Sequence, residues 1–249
     1  MPNIQLTMAM NDYDHIRDLA SGVVRAEGIE ITALILSVEE IFFRMIKNLE
    51  FHVSEMSFGK YCSTMSQPNL PFVGIPVFPS RIFRQSAFFI NRKGKVKKPE
   101  DLKGKRIGIP EWSQTATIYA RGWIQHQLGI ALRDITWVQS GINDPGRLET
   151  AKLKLPEGVS FTPVHDRSLA EMLLAGDIDA VITAHPPRLF EEGHPDIVRL
   201  FPDYRPVEEA YFKETGVYPI MHTVAVRSDV YEKHPWALMS LLTAFEQAK

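Results

Sequence analysis

The sequence has few features of secreted, membrane-bound or disulfide-stabilised proteins. Cysteine occurs once in 249 residues, at Cys62, so no disulfide can form within the chain. No stretch of the sequence approaches the ~20 consecutive apolar residues that cross a bilayer. The first residues also lack the basic and apolar regions of a signal peptide. We therefore expect a cytoplasmic protein that has no membrane partner.

An excess of positive charge is also absent. The chain has 28 lysines and arginines against 30 aspartates and glutamates, which gives a formal net charge of −2 at pH 7. Proteins that bind the phosphate backbone of nucleic acids need a basic surplus on the binding surface. We therefore expect no nucleic-acid partner.

The common catalytic and cofactor motifs are missing as well. The sequence contains neither the glycine pattern of dinucleotide-binding proteins, nor a phosphate-binding loop with its lysine, nor a serine-hydrolase elbow. Its eight histidines do not have a two-histidine metal spacing. Asp12, Asp14 and His15 cluster after the first predicted strand and indicate either a divalent-cation site or, more simply, a polar loop with a helix cap. The sequence thus predicts no cofactor and no metal.

The chain does show a regular alternation of strand-like and helix-like segments. With 45% hydrophobic residues it can form a full core, and the alternation predicts an α/β protein with mainly parallel sheets. The predicted strands are 4–8, 29–34, 51–56, 72–78, 87–91, 106–109, 135–138, 179–183 and 223–227. The predicted helices are 13–20, 39–48, 115–128, 169–175 and 235–248.

Residues 99–130 are the most informative part of the chain. A short predicted strand opens into a turn that carries Ser113, Thr115 and Thr117 at the start of a predicted helix. The free N–H groups of a helix N-terminus and the helix dipole both favour negative charge. Arg121 follows Thr117 by four residues, so it lies one turn deeper on the same helix face. The segment therefore predicts the capture of a small molecule that carries a carboxylate.

Arginines recur at predicted strand ends and loop entries. Arginine is the natural bidentate partner of a carboxylate, and α/β proteins bind ligands beyond the carboxyl ends of their strands. Each arginine taken singly is more simply a surface residue, but their recurrence favours carboxylate binding by several of them. They are Arg81, Arg84, Arg121, Arg147 and Arg188.

Two histidines stand beside predicted strands in polar and aromatic surroundings. His185 precedes two prolines and Arg188, where it indicates either a ligand contact or a turn cap. His222 ends the run Tyr-Pro-Ile-Met-His that begins at Tyr218. Because histidine titrates near neutral pH, His222 is a candidate acid or base as well as a candidate structural residue.

Longer motifs give the chain a resemblance to a known family. The most specific are the run at 218–222 and the helix that carries Thr115-Ala116 and Arg121-Gly122, whereas the Asp-Leu-Lys-Gly-Lys run at 101–105 is common among solute-binding proteins. The others are the run at 55–61, Trp137, Pro145-Gly146-Arg147, Met172-Leu173 through Gly176 and Asp179 to Ala180, Pro235-Trp236 and Ala244-Phe245. Over nearly its whole length the chain resembles the 4,5-dihydroxyphthalate decarboxylases, which share the fold of type II periplasmic solute-binding proteins.

The resemblance implies two lobes with a ligand cleft between them, each lobe a mainly parallel sheet flanked by helices. Lobe I is expected to comprise residues 1–92 and 204–249, shortened at its C-terminus relative to the family, and lobe II residues 93–203. The implied activity is the cofactor-independent decarboxylation of a hydroxylated aromatic dicarboxylate, 4,5-dihydroxyphthalate, to protocatechuate and carbon dioxide. The implied partner is a small aromatic carboxylate, and a homo-oligomer is compatible with it.

The resemblance also suggests roles for individual residues. His222 and His185 are candidates for the proton transfers, and Glu209 is a candidate for orienting one of them. The candidates for substrate binding are Ser57, Arg81, Arg84, Ser113, Thr115, Ala116, Thr117, Arg121, Arg147, Arg188 and Tyr218.

Two alternative functions stay open at this point. The same fold serves as the solute-binding protein of ABC transporters, here for a small carboxylate. A related lyase or dehydratase that acts on another cyclic carboxylate is the other alternative.

Overall fold

Strands and helices alternate along the chain in the computed structural model, which describes residues 2–65, 69–149 and 151–249. Over these residues the strands are β1 (Ile4–Met10), β2 (Ile29–Ile35), β3 (Val53–Ser57), β4 (Phe72–Ile75), β5 (Phe88–Asn91), β6 (Arg106–Ile109), β7 (Thr136–Gln139), β8 (Ser160–Pro163), β9 (Ala180–Ile182), β10 (Ile197–Arg199) and β11 (His222–Arg227). The helices are α1 (Arg17–Ser21), α2 (Val38–Asn48), α3 (Phe58–Thr64), α4 (Thr115–His126), α5 (Leu169–Ala175), α6 (Arg188–Glu191), α7 (Arg205–Thr215), α8 (Ser228–Lys233) and α9 (Ala237–Gln247). Among the described residues, none of the helices has the length and apolar character that crossing a bilayer requires.

These elements form two compact units. Unit 1 comprises the residues up to Arg81 together with Ile220–Lys249, and unit 2 comprises Ile82–Pro219. Residues 82–92 and 204–219, which the resemblance assigns to lobe I, are therefore part of unit 2. Helix α7 belongs there because its apolar side chains pack against the core of that unit.

Unit 1 is built on a mixed sheet with the strand order β2-β1-β3-β11-β4. Strand β1 pairs in parallel with β2 and β3, whereas β11 runs antiparallel between β3 and β4. Apolar side chains of α1, α8 and α9 cover one face of the sheet, and those of α2 and α3 cover the other. This topology brings the carboxyl ends of β1 and β3 and the amino end of β11 to one edge of the sheet.

Unit 2 has a second mixed sheet, with the strand order β10-β5-β9-β6-β7-β8. Strands β9, β6, β7 and β8 are parallel, and β5 runs antiparallel to both β9 and β10. Helix α4 packs on one face and α5 on the other. At Gly108 in β6, an added Cβ would lie 2.7 Å from Leu169 and 2.8 Å from Ile178, so this close helix contact requires glycine.

Helix α5 begins and ends at the residues its sequence indicates. The Ser168 hydroxyl accepts the Glu171 backbone N–H at 3.3 Å, and the Glu171 carboxylate accepts the Ser168 N–H at 2.7 Å. Gly176 ends the helix with φ +79°, a left-handed conformation that glycine adopts without strain. Ser168 and Glu171 thus form a capping box, and Gly176 provides the C-terminal cap.

The structure differs from the sequence prediction in its short elements. Strands β8 and β10, with 4 and 3 residues, are too short to show a clear alternation, and helices α3, α6, α7 and α8 are also additional to the prediction. The predicted helix 13–20 begins later, at Arg17, because a 3₁₀ turn occupies Asp14–Ile16. Tyr13 therefore precedes the turn with extended backbone angles, φ −118° and ψ 139°.

Candidate functional site

A buried carboxylate and a histidine meet at the edge of the unit 1 sheet. The register of β3 and β11 places Glu55 opposite Val224 and His222 opposite Ser57. Side chains two residues apart share one face of a sheet, so Glu55 and His222 are diagonal neighbours on the same face. Glu55 Oε1 lies 2.5 Å from His222 Nδ1. The strand register thus holds the imidazole against the carboxylate.

Two further groups donate hydrogen bonds to the same carboxylate. The Tyr13 hydroxyl donates to Oε1 over 2.6 Å, and the Asn11 backbone N–H donates to Oε2 over 3.1 Å. Both residues follow β1, whose carboxyl end lies beside that of β3. Glu55 is fully buried, and a buried carboxylate is costly unless its oxygens accept hydrogen bonds. Its three donors meet that requirement, and we call Tyr13, Glu55 and His222 the Glu55 cluster.

His222 keeps one ring nitrogen available. Its Nδ1 faces Glu55, and Nε2 has no hydrogen bond to another residue in the part of the chain that the structure describes. The side chain is 15% exposed, so a ligand atom can reach the ring. With the proton on Nδ1 directed at the carboxylate, Nε2 carries the lone pair of a general base.

Aromatic rings surround the cluster. Phe42 approaches the His222 ring edge-on, with 5.0 Å between the centroids, and His15 stacks on Tyr13 at 5.3 Å. Burial, followed by the negative charge of Glu55, raises the pKa of Tyr13 well above its usual range. The Tyr13 hydroxyl therefore stays protonated and remains a hydrogen-bond donor.

The acidic residues after β1 pair with an arginine. Arg17 lies 2.8 Å from an oxygen of Asp12 and 3.0 Å from an oxygen of Asp14. His15 Nε2 lies 3.1 Å from the carbonyl oxygen of Pro79. Across residues 2–65, 69–149 and 151–249, no group of three or more His, Cys, Asp or Glu side chains has the arrangement of a metal site. The polar groups of this loop thus serve an ion pair and a main-chain contact.

Two predicted binding residues lie close to the cluster in the pairing of the main chain. Ser57 is 4% exposed and is the register partner of His222. Arg81 forms an isolated antiparallel bridge with Ile220, two residues before His222. The Arg81 guanidinium lies 5.4 Å from the centroid of the Phe78 ring. Unit 1 therefore brings together three of the residues named from the sequence.

In unit 2, the predicted anion seat at the start of α4 holds a carboxylate of the chain itself. The Ser113 backbone N–H donates to Glu149 Oε2 over 3.0 Å, and the Ser113 hydroxyl donates to Oε1 over 2.5 Å. Oε1 also accepts the Ala151 N–H at 2.9 Å. A helix N-terminus favours a negative group at this position. The turn therefore accommodates a carboxylate, here one from the loop after β7.

Arg121 is buried one turn deeper in α4. It is 5% exposed and donates to Thr117 Oγ1 at 3.1 Å and to the Trp112 carbonyl at 2.8 Å. Its guanidinium lies 3.8 Å from the centroid of the Trp112 ring. Burial lowers the pKa of Arg121 to about 9, while the charge of Glu149 opposes that change. A hydroxyl, a carbonyl and an aromatic face thus hold a charge that no carboxylate of a described residue pairs with directly.

The Thr117 hydroxyl bonds to carbonyl groups at the start of α4. Thr117 Oγ1 donates to the carbonyl of Glu111 at 2.8 Å and to that of Gln114 at 2.9 Å. Thr115 and Ala116 are buried in the first turn, at 4% and 2% exposure. Among the predicted seat residues, Ser113 binds a carboxylate through its side chain.

Arg147 already has a carboxylate partner. Its Nε and Nη2 atoms lie 2.8 and 2.6 Å from Glu111 Oε1, and the Glu111 side chain is 4% exposed. Gln139 Nε2 ties the two loops together by donating to the carbonyls of Pro110, at 2.9 Å, and of Arg147, at 2.6 Å. A cavity of about 400 Å³ borders the loop 141–147. The ion pair fixes one wall of that cavity.

Three other predicted residues lie around the end of β9. Arg84 donates to the Ala184 carbonyl at 3.4 Å, and burial lowers its pKa to about 10. His185, next in the chain, is exposed. The Arg188 backbone N–H bonds to the neighbouring loop, and its guanidinium lies 3.7 Å from Asp144. The structure thus brings Arg84 and His185 into one neighbourhood.

The two remaining predicted residues belong to the segment of α7. Glu209 forms an exposed ion pair with Arg205 at 2.9 Å. Tyr218 stacks on Phe83, with 4.9 Å between the ring centroids. Glu55 is bonded to His222, and the orienting role of Glu209 stays a prediction from the sequence.

Sequence reasoning missed Tyr13, Glu55, Glu111 and Glu149. Glu55 carries a usable signal, because it is an acidic residue inside the predicted strand 51–56, and acidic residues are rarely buried without partners. The contacts of the others join segments distant in sequence, 42 residues apart for Tyr13 and Glu55 and 36 for Ser113 and Glu149. Such contacts produce no local pattern in the amino-acid sequence.

Solved structures define the class of fold. The periplasmic aliphatic sulphonate-binding protein SsuA of Escherichia coli superposes with a TM-score of 0.59 and is 12% identical, covering 100% of this chain and 73% of that one. The alkanesulfonate-binding protein SsuA of Xanthomonas axonopodis pv. citri gives a TM-score of 0.54 at 14% identity, covering 100% and 74%. The chain therefore has the periplasmic-binding-protein fold. No protein-family model matches it.

Curated relatives define the family. A 4,5-dihydroxyphthalate decarboxylase of Comamonas testosteroni is 37% identical over 250 residues, which cover 100% of this chain and 76% of the relative. A protein of the same name from Pseudomonas putida is 35% identical over 204 residues, covering 82% of this chain and 79% of that one. The chain belongs to the 4,5-dihydroxyphthalate decarboxylase family.

Proposed function

We propose that this chain removes one carboxylate from 4,5-dihydroxyphthalate and yields protocatechuate and carbon dioxide without an organic cofactor. Its relatives carry the name of that activity. The single structural observation that carries the proposal is the hydrogen-bonded pair of Glu55 and His222, whose Nε2 is available to a ligand. A small aromatic carboxylate as partner and a cytoplasmic location belong to the same proposal.

The chemistry needs a proton-transferring group beside the substrate. Direct loss of carbon dioxide would leave a carbanion in the plane of the aromatic ring, where the π system cannot delocalise it. The hydroxyl para to the departing carboxylate offers another route. Removal of the phenolic proton by a base and protonation of the carboxyl-bearing carbon by a separate acid, which regains its proton from water, convert the ring to a dienone. The bond to the carboxylate then breaks, its electron pair restores the aromatic ring, and the phenolate regains a proton.

His222 is suited to the first proton transfer. Its Nε2 accepts the phenolic proton, and the imidazolium so formed is stabilised by Glu55 at Nδ1. Burial of Glu55 strengthens that stabilisation, because little water screens the carboxylate. The same pair returns the proton to the phenolate at the end of the reaction.

Unit 2 has a carboxylate-binding position of its own in this proposal. Ser113 at the N-terminus of α4 binds an anionic group that takes the place of the Glu149 carboxylate. The two hydrogen bonds from Ser113 to Glu149 support this role, as does the buried positive charge of Arg121 in the same helix. Arg81, Arg84, Arg147, Arg188 and Tyr218 as binding residues, and His185 and Glu209 as catalytic residues, stay predictions from the sequence.

Turnover of 4,5-dihydroxyphthalate by H222Q tests the proposal. General acid–base groups contribute roughly 10²–10⁴-fold to a rate, so we expect the release of carbon dioxide to fall by about that factor. The matched control is H126Q, because His126 is an exposed histidine of α4, and its turnover should equal that of the unsubstituted chain. Near-normal turnover by H222Q would remove His222 from the mechanism.

The unsubstituted chain distinguishes the alternative functions in the same assay. Binding of the phthalate without release of carbon dioxide would identify a solute-binding protein and overturn the proposal. Carbon dioxide from a different hydroxylated aromatic acid would keep the reaction and replace the substrate.

A further inference from the structure

Tyr13 shares one carboxylate oxygen with His222. The Tyr13 hydroxyl and His222 Nδ1 lie 2.6 and 2.5 Å from Glu55 Oε1, and 3.5 Å from each other. The other oxygen of Glu55 accepts the Asn11 backbone N–H. Tyr13 and His222 therefore bond to the same oxygen, so a change in the hydrogen bond of one alters the charge that the other meets.

The backbone holds the Tyr13 hydroxyl in this place. Tyr13 lies between the end of β1 and the 3₁₀ turn Asp14–Ile16, and Ile16 is fully buried in the core of unit 1. The ring is stacked on His15. Because these contacts are independent of the hydroxyl, removing that one atom should leave the ring where it is.

We propose that Tyr13 is a positioning residue that lowers the proton affinity of His222 by donating a hydrogen bond to the carboxylate oxygen they share. This inference rests on the proposed function for its catalytic meaning. The hydrogen bond from Tyr13 disperses part of the negative charge on Glu55 Oε1. The carboxylate then attracts a proton on the imidazole less strongly, which keeps Nε2 available as a base.

Other titratable groups lie around the pair. Glu55 and Tyr13 lie beside His222, while His15 stacks on Tyr13 and the charge of Glu39 acts on Tyr13. Phe42 of α2 presents an apolar edge to the ring. Tyr13 donates a hydrogen bond to the Glu55 oxygen that faces Nδ1. Since burial and Glu55 keep its hydroxyl protonated, it acts as a donor over the whole working range of pH.

The test is an NMR titration of the His222 ring without substrate. In Y13F the charge on Glu55 is no longer dispersed, so the midpoint of the His222 titration should rise by about half to one pH unit. In E55Q the midpoint should move in the opposite direction, because the carboxylate charge is gone. H222Q assigns the signal, and Y231F, on the exposed surface of α8, should leave the midpoint unchanged.

A second substitution covers the case in which Y13F perturbs the fold. Incorporation of 3-fluorotyrosine at position 13 keeps the size of the ring and makes the hydroxyl a stronger donor, so the midpoint should fall. An unchanged midpoint in both Tyr13 variants would overturn the inference, as would a shift of both in the same direction.

Turnover separates this inference from the proposed function. If the protein releases carbon dioxide, the rising limb of its plot of log kcat/KM against pH should shift to higher pH in Y13F. The shift should equal that of the NMR midpoint. Release of carbon dioxide with an unmoved midpoint would refute the role of Tyr13 and leave the decarboxylase proposal standing. A moved midpoint in a protein without turnover would refute the decarboxylase proposal and leave the electrostatic role of Tyr13 intact.

Discussion

Each unit buries a carboxylate at the carboxyl end of a strand, but the two carboxylates have different partners. Glu55 in unit 1 is bonded to His222 at 2.5 Å, and Glu111 in unit 2 is bonded to Arg147 at 2.6 Å. Histidine gains and loses a proton near neutral pH, whereas arginine keeps its proton. In the proposed mechanism, a buried glutamate therefore supports proton transfer in unit 1, whereas the buried glutamate of unit 2 pairs with a fixed charge.

The second acidic group of unit 2 follows the same pattern. Glu149 is bonded to the hydroxyl and the backbone N–H of Ser113 and to the backbone N–H of Ala151. None of these donors titrates near neutral pH. A carboxylate with such partners can be exchanged for another anion, but it has no means of moving a proton.

The largest effect should come from E55Q. Without the carboxylate, His222 loses both its orientation and the stabilisation of its charged form, so we expect turnover of 4,5-dihydroxyphthalate to fall by roughly 10²–10⁴-fold. Steady-state release of carbon dioxide measures this, and circular dichroism checks the fold.

E209Q is the matched substitution for that experiment. Glu209 is the carboxylate that sequence reasoning assigns to a histidine, and it forms an exposed ion pair in the structure. A large loss of turnover in E209Q with little loss in E55Q would contradict the role of Glu55. It would also mean that the partner of the buried carboxylate does not separate a catalytic unit from a binding unit.

A smaller and opposite effect should come from E149Q. If Ser113 binds the carboxylate of a ligand, the Glu149 carboxylate competes with that ligand for Ser113. Replacing the charged group with a neutral amide should tighten binding of a carboxylate ligand by about 3- to 30-fold, since a hydrogen bond to a charged group is worth roughly 1–1.5 kcal/mol more than one to a neutral group. Isothermal titration calorimetry with 4,5-dihydroxyphthalate measures this.

The control for E149Q comes from the same connection between β7 and β8. Glu157 is exposed there, and E157Q changes the net charge by the same amount. Equal tightening in both variants would mean that net charge, and not competition for Ser113, controls the affinity. Weaker binding in E149Q would show that Glu149 helps to bind the ligand.

The sequence predicted the α/β class and part of each candidate site. The anion seat could be predicted because Ser113 stands in a strand–turn–helix pattern that is local in sequence. His222 could be nominated because histidine is the usual acid–base residue. Glu55 and Tyr13 could not be assigned, since their contact joins the ends of two strands and depends on the parallel pairing of β1 with β3.

The start predicted for the first helix is wrong for the same physical reason. The periodic apolar residues of 13–20 favour a helix from Tyr13, but a 3₁₀ turn precedes Arg17 and leaves Tyr13 extended. Ile16 of that turn is fully buried in the core of unit 1. Tertiary packing has thus decided the local structure, which propensity alone cannot reveal.

The smallest effect concerns His52, a second histidine of unit 1. It tests whether the carboxylate partner of His222 is what suits that histidine to catalysis. His52 Nδ1 accepts the Thr7 backbone N–H at 3.0 Å, so its proton is on Nε2, the opposite arrangement to His222. Burial, together with the charge of Arg227, lowers the pKa of His52, whereas Asp229 acts in the opposite sense.

The sign of the stability change follows from that lowered pKa. Below pH ~6.5, the usual value for histidine, the unfolded chain binds a proton at His52 more readily than the folded chain does, so the free energy of unfolding should fall as the pH is lowered. Because the group is partly exposed, we expect this contribution to stay under about 1 kcal/mol. Urea unfolding of the unsubstituted chain and H52Q at about pH 5 and pH 7.5 measures it, and H52Q should show the weaker dependence on pH. H52Q should also keep its turnover, and a loss as large as that of H222Q would mean that a carboxylate partner is not what distinguishes a catalytic histidine in this unit.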